Sequence, residues 1–308
     1  MMRLAASAAL ATSLMGCMNL GGLIGDSAED APPAPAAVES AAAAPASTDD
    51  ATAAPGASIT SGDGSTYTGD IANGKPNGQG AYRTQDGFEY VGSWVDGQIE
   101  GTGKATYPNG SVYEGSFKNG QPDGQGTLTT TDGFVYDGAW VAGVRSGQGA
   151  ATYANGDNYT GDFLDNARHG SGTMTYADGA VYDGSFLSGQ RHGRGTYTAT
   201  DGFVYEGDWV EGRQNGVGKA VYASGVVYEG AFVAGQWQGT GSANYPDGSI
   251  YTGEFVNGSR EGRGRYTGPD GFVYEGEWSD GEITGQGVAT YPNGTRLEGR
   301  FRNGAFVG

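Results

Sequence analysis

His169 and His192 are the only histidines of this 308-residue chain, and imidazole is the side chain that ordinarily titrates near neutrality. They stand one 23-residue repeat apart, at matching places. Two strand spacings, about 10 Å, would separate them, too far for one zinc ion with bonds of roughly 2 Å. They read as repeat positions, and neither a metal nor a cofactor is expected. Gly101-x-Gly103-Lys104 and Gly216-x-Gly218-Lys219 look faintly like phosphate loops. They lack the spacing and the hydroxyl residue of such a loop, and each leads into a strand rather than a helix. Glu114, Asp137, Asp183, Glu206, Glu229, Glu275 and Glu298 follow repeated aromatic or leucine positions. Paired carboxylates can cleave glycosides, but a periodic open row has no cleft to raise one pKa above another. A solvated face that keeps the sheet from pairing with others accounts for the row, with a cationic partner as the alternative. No catalytic residue is expected, and the chain reads as non-enzymatic.

The sharpest departure from the repeat is basic. Arg145, Arg168, His169, Arg191, His192, Arg194 and Arg213 are expected on the hairpin turns of four consecutive repeats. Other copies are neutral or acidic there, as at Glu100 and Asp123. A positive rim about 30–40 Å long on an acidic rod would suit anionic lipid, a glycan or a protein. Exposed turn arginines without a task are the plain alternative. Arg260, Arg263 and Arg265 form a second, weaker group.

What must position these residues is legible in the composition. Glycine supplies 60 residues and tyrosine 19, against 37% hydrophobic residues overall. Without a collagen period, that mixture points to many short strands joined by tight turns. A net charge of −18 disfavours nucleic acid, whose phosphates draw on lysine and arginine.

From Tyr67 the period of 23 runs without insertion through Tyr90, Tyr113, Tyr136, Tyr159, Tyr182, Tyr205, Tyr228, Tyr251 and Tyr274, each opening Tyr-x-Gly. Leu297 takes the place in an eleventh, atypical copy that reads as a cap or an edge for end-to-end association. Tyr113, Gly115 and Phe117 alternate with Glu114 and Ser116, the period of a strand with one aromatic face. Asn119-Gly120 through Gly126 reads as turn chemistry, followed by a returning strand. Two flavours of repeat alternate bulk: Trp94, Trp140, Trp209 and Trp278 go with Phe88, Phe134, Phe203 and Phe272. The phenylalanine copies instead carry a tyrosine such as Tyr107 or Tyr153 six residues before the repeat tyrosine, as close packing demands.

The unit Tyr113–Gly126, Y-E-G-S-F-K-N-G-Q-P-D-G-Q-G, resembles the MORN repeat (membrane occupation and recognition nexus). The resemblance covers residues 61–308. It implies an all-β fold, an elongated, solenoid-like single antiparallel sheet of stacked hairpins, used for protein assembly and, less securely, phospholipid contact.

Residues 1–16 read as a secretory signal: Arg3, then an apolar run too short to span a bilayer. Leu14-Met15-Gly16-Cys17 resembles the bacterial lipoprotein processing site, which implies lipidation of Cys17, the sole cysteine. Met18, rather than aspartate, implies by the same resemblance the outer membrane, facing the periplasm or the surface. Residues 17–60 then form a disordered alanine-, proline- and acid-rich linker whose ends would lie roughly 35–40 Å apart. The expectation is a membrane-tethered scaffold of the bacterial cell envelope that engages protein partners or itself. The alternative is a phospholipid- or glycan-binding protein using the aromatic face and the arginine rim.

Overall fold

The computed structural model describes residues 56–308. They form one antiparallel sheet of 23 strands, each hydrogen-bonded to its neighbours in chain order from Ala57–Thr60 to Ala305–Phe306. The first strand overruns the linker boundary expected at residue 60. Ile59 pairs with Tyr67 as Leu128 pairs with Tyr136, so these residues supply half of a returning strand beneath the first repeat.

Each hairpin turns on two residues. Asn119 and Gly120 have φ of 50° and 76°, the left-handed pair that suits the twist of the flanking strands. The turn is therefore shorter than the glycine run suggested, and Gln121–Thr129 is strand throughout. Its second glycine pair serves a bulge. Gly115 faces Gly126 and Phe117 faces Pro122, leaving Asp123, Gly124 and Gln125 opposite Ser116 alone. Gly124, at φ 102°, takes the bend.

Glycine pairs with glycine from strand to strand: Gly103 with Gly115, Gly115 with Gly126, Gly126 with Gly138. This row crosses the sheet because each repeat tyrosine lies over it. A Cβ on Gly126 would stand 2.2 Å from the Tyr113 hydroxyl oxygen. That hydroxyl donates to the Ser116 carbonyl at 2.9 Å, a bulge carbonyl outside the regular ladder, and Tyr136 does the same to Ala139.

The sheet bends so that its turn-side and loop-side halves face each other. Phe134 and Trp140, the residue opposite Arg145, lie six residues apart, about 20 Å in a flat strand. Yet the Arg145 guanidinium is 5.1 Å from the Phe134 ring. Trp94 likewise meets Tyr82 at 5.9 Å, and the Trp237 indole donates to the Tyr222 hydroxyl at 2.8 Å. A single sheet thereby encloses its own core of repeat tyrosines, tryptophans and phenylalanines. The two flavours interlock. Trp94, Trp140, Trp209 and Trp278 donate to glycine-row carbonyls, and Phe134 packs on Tyr153 of the next loop at 5.5 Å.

Burial pushes the phenols of Tyr136, Tyr228 and Tyr251 up from 10.0 to about 12. The folded pKa lies above the unfolded one, so the unfolded chain loses its phenolic protons first. Stability is complete below pH 10 and falls as pH rises from 10 towards 12. Tyrosinate absorbance should rise together with loss of the sheet's circular dichroism in that window. Full ionisation near pH 10 with the sheet signal intact would contradict the burial of these rings.

Candidate functional site

Because the turn has only two residues, the second residue beyond it already faces inward. Arg145, Arg168 and Arg191 occupy that place, with side chains 0%, 4% and 0% exposed. Ile99, Pro122, Trp237 and Ile283 hold the same place in other repeats, and Arg260 is a fourth arginine there. The expected rim is thus corrected: three of its arginines belong to the aromatic core. Arg191 lies 4.5 Å from the Trp209 ring and donates to the Gly212 carbonyl at 2.9 Å. Arg168 sits between Tyr153 and Phe186 at 5.7 and 5.5 Å and donates to the Gly189 carbonyl. Arg260 repeats the pattern with Trp278 and Gly281. Each guanidinium ties its strand to the turn of the next hairpin. Burial lowers the Arg145 pKa to about 10, which leaves it charged at neutral pH.

What remains accessible of the rim is smaller. Arg194 and Arg213 are exposed, while His169 and His192 are half-buried. Arg194 lies 4.0 Å from Asp208, a loose surface pair of little energetic weight. The two histidines stand in the row of Glu100 and Asp123, whose role the sequence reading missed. At this place Glu100, Asp123 and Glu261 accept the backbone N–H of Asn119, Ala142 and Asp280 in the next turn. The signal was present as acids 19 residues before a turn residue, a spacing that has meaning only once the stacking is known.

The acids that follow the repeat aromatic or leucine lie on the outer face, where Glu114 meets Lys104 at 3.7 Å and Glu275 meets Arg265 at 2.9 Å. Both glycine–lysine motifs lie in strands, Gln98–Thr106 and Arg213–Val221. No group of histidine, cysteine, aspartate and glutamate among the described residues is placed to hold a metal ion. The signal segment and Cys17 lie outside the described residues.

The outer face also carries an aliphatic row. Val141, Leu164, Leu187, Val210, Val233 and Val256 stand immediately before six consecutive turns, each 42–54% exposed. The alternation of Tyr136, Gly138 and Trp140 already turns Val141 outward, and the bulge leaves that strand in phase; sequence reading passed over the row because it followed the aromatic face.

The MORN repeat matches this chain over residues 67–88, 90–112, 113–135, 136–158, 159–181, 182–204, 205–227, 228–250, 251–273 and 274–296. No curated protein matches it. Among solved structures, the TCP10c domain of Drosophila melanogaster Sas-4 is similar at 12% identity and a TM-score of 0.31, covering 57% of this chain and 98% of that one. The TCP10 domain of Danio rerio CPAP is similar at 11% identity and a TM-score of 0.26, covering 79% and 98%. A virginiamycin B lyase from Staphylococcus aureus is similar at 12% identity and a TM-score of 0.14, covering 80% and 83%.

Proposed function

The chain belongs to the MORN-repeat family, its repeats spanning residues 67–296, and on that premise we propose that it is a non-enzymatic scaffold. It is tethered through lipidated Cys17 to the bacterial cell envelope, at the outer membrane, and its sheet engages protein partners. The observation that carries this reading is the aliphatic row from Val141 to Val256 on an unbroken outer face. Side chains at one place of successive hairpins recur about every 10 Å, a regular surface for an extended protein contact.

The test is a crosslinked pull-down from envelope extract with the full chain, beside a Leu164→Lys/Leu187→Lys/Val210→Lys variant. Those side chains lie outside the core, so the variant keeps the sheet. A protein recovered by the native chain and lost with the variant is the expected result. Recovery of lipid, glycan or the bait alone would overturn the protein-partner reading.

The phospholipid- or glycan-binding alternative now draws on Arg194 and Arg213, with His169 and His192 beside them. An Arg194→Ser/Arg213→Ser variant that loses binding to anionic vesicles or glycan, yet keeps its protein partner, would favour it.

A further inference from the structure

Asn-Gly pairs recur along the chain because glycine and asparagine both tolerate left-handed backbone. The same pair is chemically fragile, since a glycine amide nitrogen meets little steric hindrance when it attacks the preceding side-chain carbonyl. In six pairs the structure works against that attack. The N–H of Gly110, Gly156 and Gly294 is bonded to the carbonyl of Tyr107, Tyr153 and Tyr291. Those of Gly120, Gly258 and Gly304 are bonded to Ile99, Trp237 and Ile283 of the preceding hairpin. Asn109, Asn155 and Asn293 moreover turn their side-chain oxygens to the N–H two residues on.

Asn215-Gly216 is built differently. It lies in the bulge of strand Arg213–Val221, not in a turn, the place that Asn77-Gly78 holds in the first repeat; what sets Asn215 apart is its own hydrogen bond. There the Gly216 N–H donates to Oδ1 of Asn215 itself, at 3.0 Å. The nucleophilic nitrogen and the side-chain carbonyl are thus held together, and Gly216 is exposed to water. The hydrogen bond holds the Asn215 carboxamide beside the nitrogen that must attack its Cγ, so little orientational freedom is left to lose.

We propose that Asn215 is a site of spontaneous deamidation in the folded protein. The Gly216 nitrogen, losing its proton, bonds to Cγ of Asn215, and the side-chain amide departs as ammonia. The resulting five-membered imide is opened by water at either carbonyl, giving aspartate or isoaspartate. Nothing is oxidised or reduced, and water is the only co-reactant.

The two products differ in what they do to the sheet. Residue 215 stands in the row where Glu100, Asp123 and Glu261 accept the next turn's N–H. Aspartate there adds one negative charge beside exposed Arg213 and keeps the backbone intact. Isoaspartate inserts an extra carbon into the main chain, next to the pairing of Gly216 with Phe232. A sheet whose register is set residue by residue does not absorb that carbon without local loss of pairing.

Arg213 and Lys219 bracket the site, so trypsin releases Gln214–Lys219 as one peptide. The full chain is incubated in mildly alkaline buffer, with samples taken for mass spectrometry and isoelectric focusing. The expected result is amide-to-acid conversion in that peptide severalfold faster than at Asn119 or Asn257. Asn215→Ser should abolish the leading acidic isoform that accumulates with time. Conversion at Asn215 no faster than at Asn119 and Asn257, or an unchanged acidic series in Asn215→Ser, would overturn the proposal.

Discussion

Gly126→Ala is expected to destabilise the array by about 3 kcal/mol, the upper range for one methyl group forced into a packed site. The added carbon would stand 2.2 Å from the Tyr113 hydroxyl oxygen, 2.4 Å from Cζ and 2.6 Å from Cε2. The ring has nowhere to go. Tyr113 is fully buried, touches Phe117 and Trp140 edge-on at 5.0 and 5.2 Å, and is pinned by its bond to Ser116. Removing the hydroxyl does not relieve the clash, because Cζ alone is too close, so Tyr113→Phe/Gly126→Ala should remain destabilised. Gly133→Ala is the contrasting case. Its Cβ would meet nothing within 4 Å, and only its φ of 95° is strained, at a cost of about 1 kcal/mol. In a solenoid each repeat contacts only its neighbours, so hydrogen exchange in Gly126→Ala should rise first around Tyr113 and Tyr136. A Gly126→Ala denaturation midpoint no lower than that of Gly133→Ala would show that the glycine row is not a steric requirement.

That contrast also marks how far the sequence could be read. The strand alternation of Tyr113, Gly115 and Phe117, the 23-residue period and the exchange of bulk between Trp and Phe repeats are local patterns, and they predict the stacked hairpins. What each glycine does is not local. Gly120 serves the turn, Gly124 a bulge and Gly126 a ring contact. All three read alike as turn residues until the register is known. The error over the arginines has the same root. A turn thought to run to Gly126 put Arg145, Arg168 and Arg191 outside, whereas a two-residue turn restarts the strand and directs them inward. The aromatic rings that receive them come from a preceding loop and a neighbouring repeat, as with Phe134 for Arg145 and Trp209 for Arg191. Only the bend of the sheet brings those together.

The buried arginines lead to the second large effect, in which the choice of replacement decides the sign. Arg191→Ala should cost about 2–4 kcal/mol, because it opens a cavity against Trp209 and Tyr197 and leaves the Gly212 carbonyl without its donor. Arg191→Met should be neutral or stabilising by about 1–2 kcal/mol. It fills most of the same volume and removes a cation that must be stripped of water on folding, which offsets the loss of the donor to the Gly212 carbonyl that it shares with the alanine variant. The protein itself sets the precedent, since Ile99, Pro122 and Ile283 stand at the equivalent place, the two isoleucines 1% and 3% exposed. Against this stands the guanidinium's stacking on indole, worth about 2 kcal/mol when desolvated. Thermal and urea unfolding of the two variants decide the balance. If Arg191→Met falls as far as Arg191→Ala, cation–ring attraction and the tie to the next turn outweigh desolvation, and the arginines fasten one hairpin to the next. If it equals or exceeds the native chain, the charge is a cost carried for something other than stability. Anionic-vesicle binding, measured on the same Arg191→Met protein, then separates the two uses of the row: a buried residue should leave it unchanged.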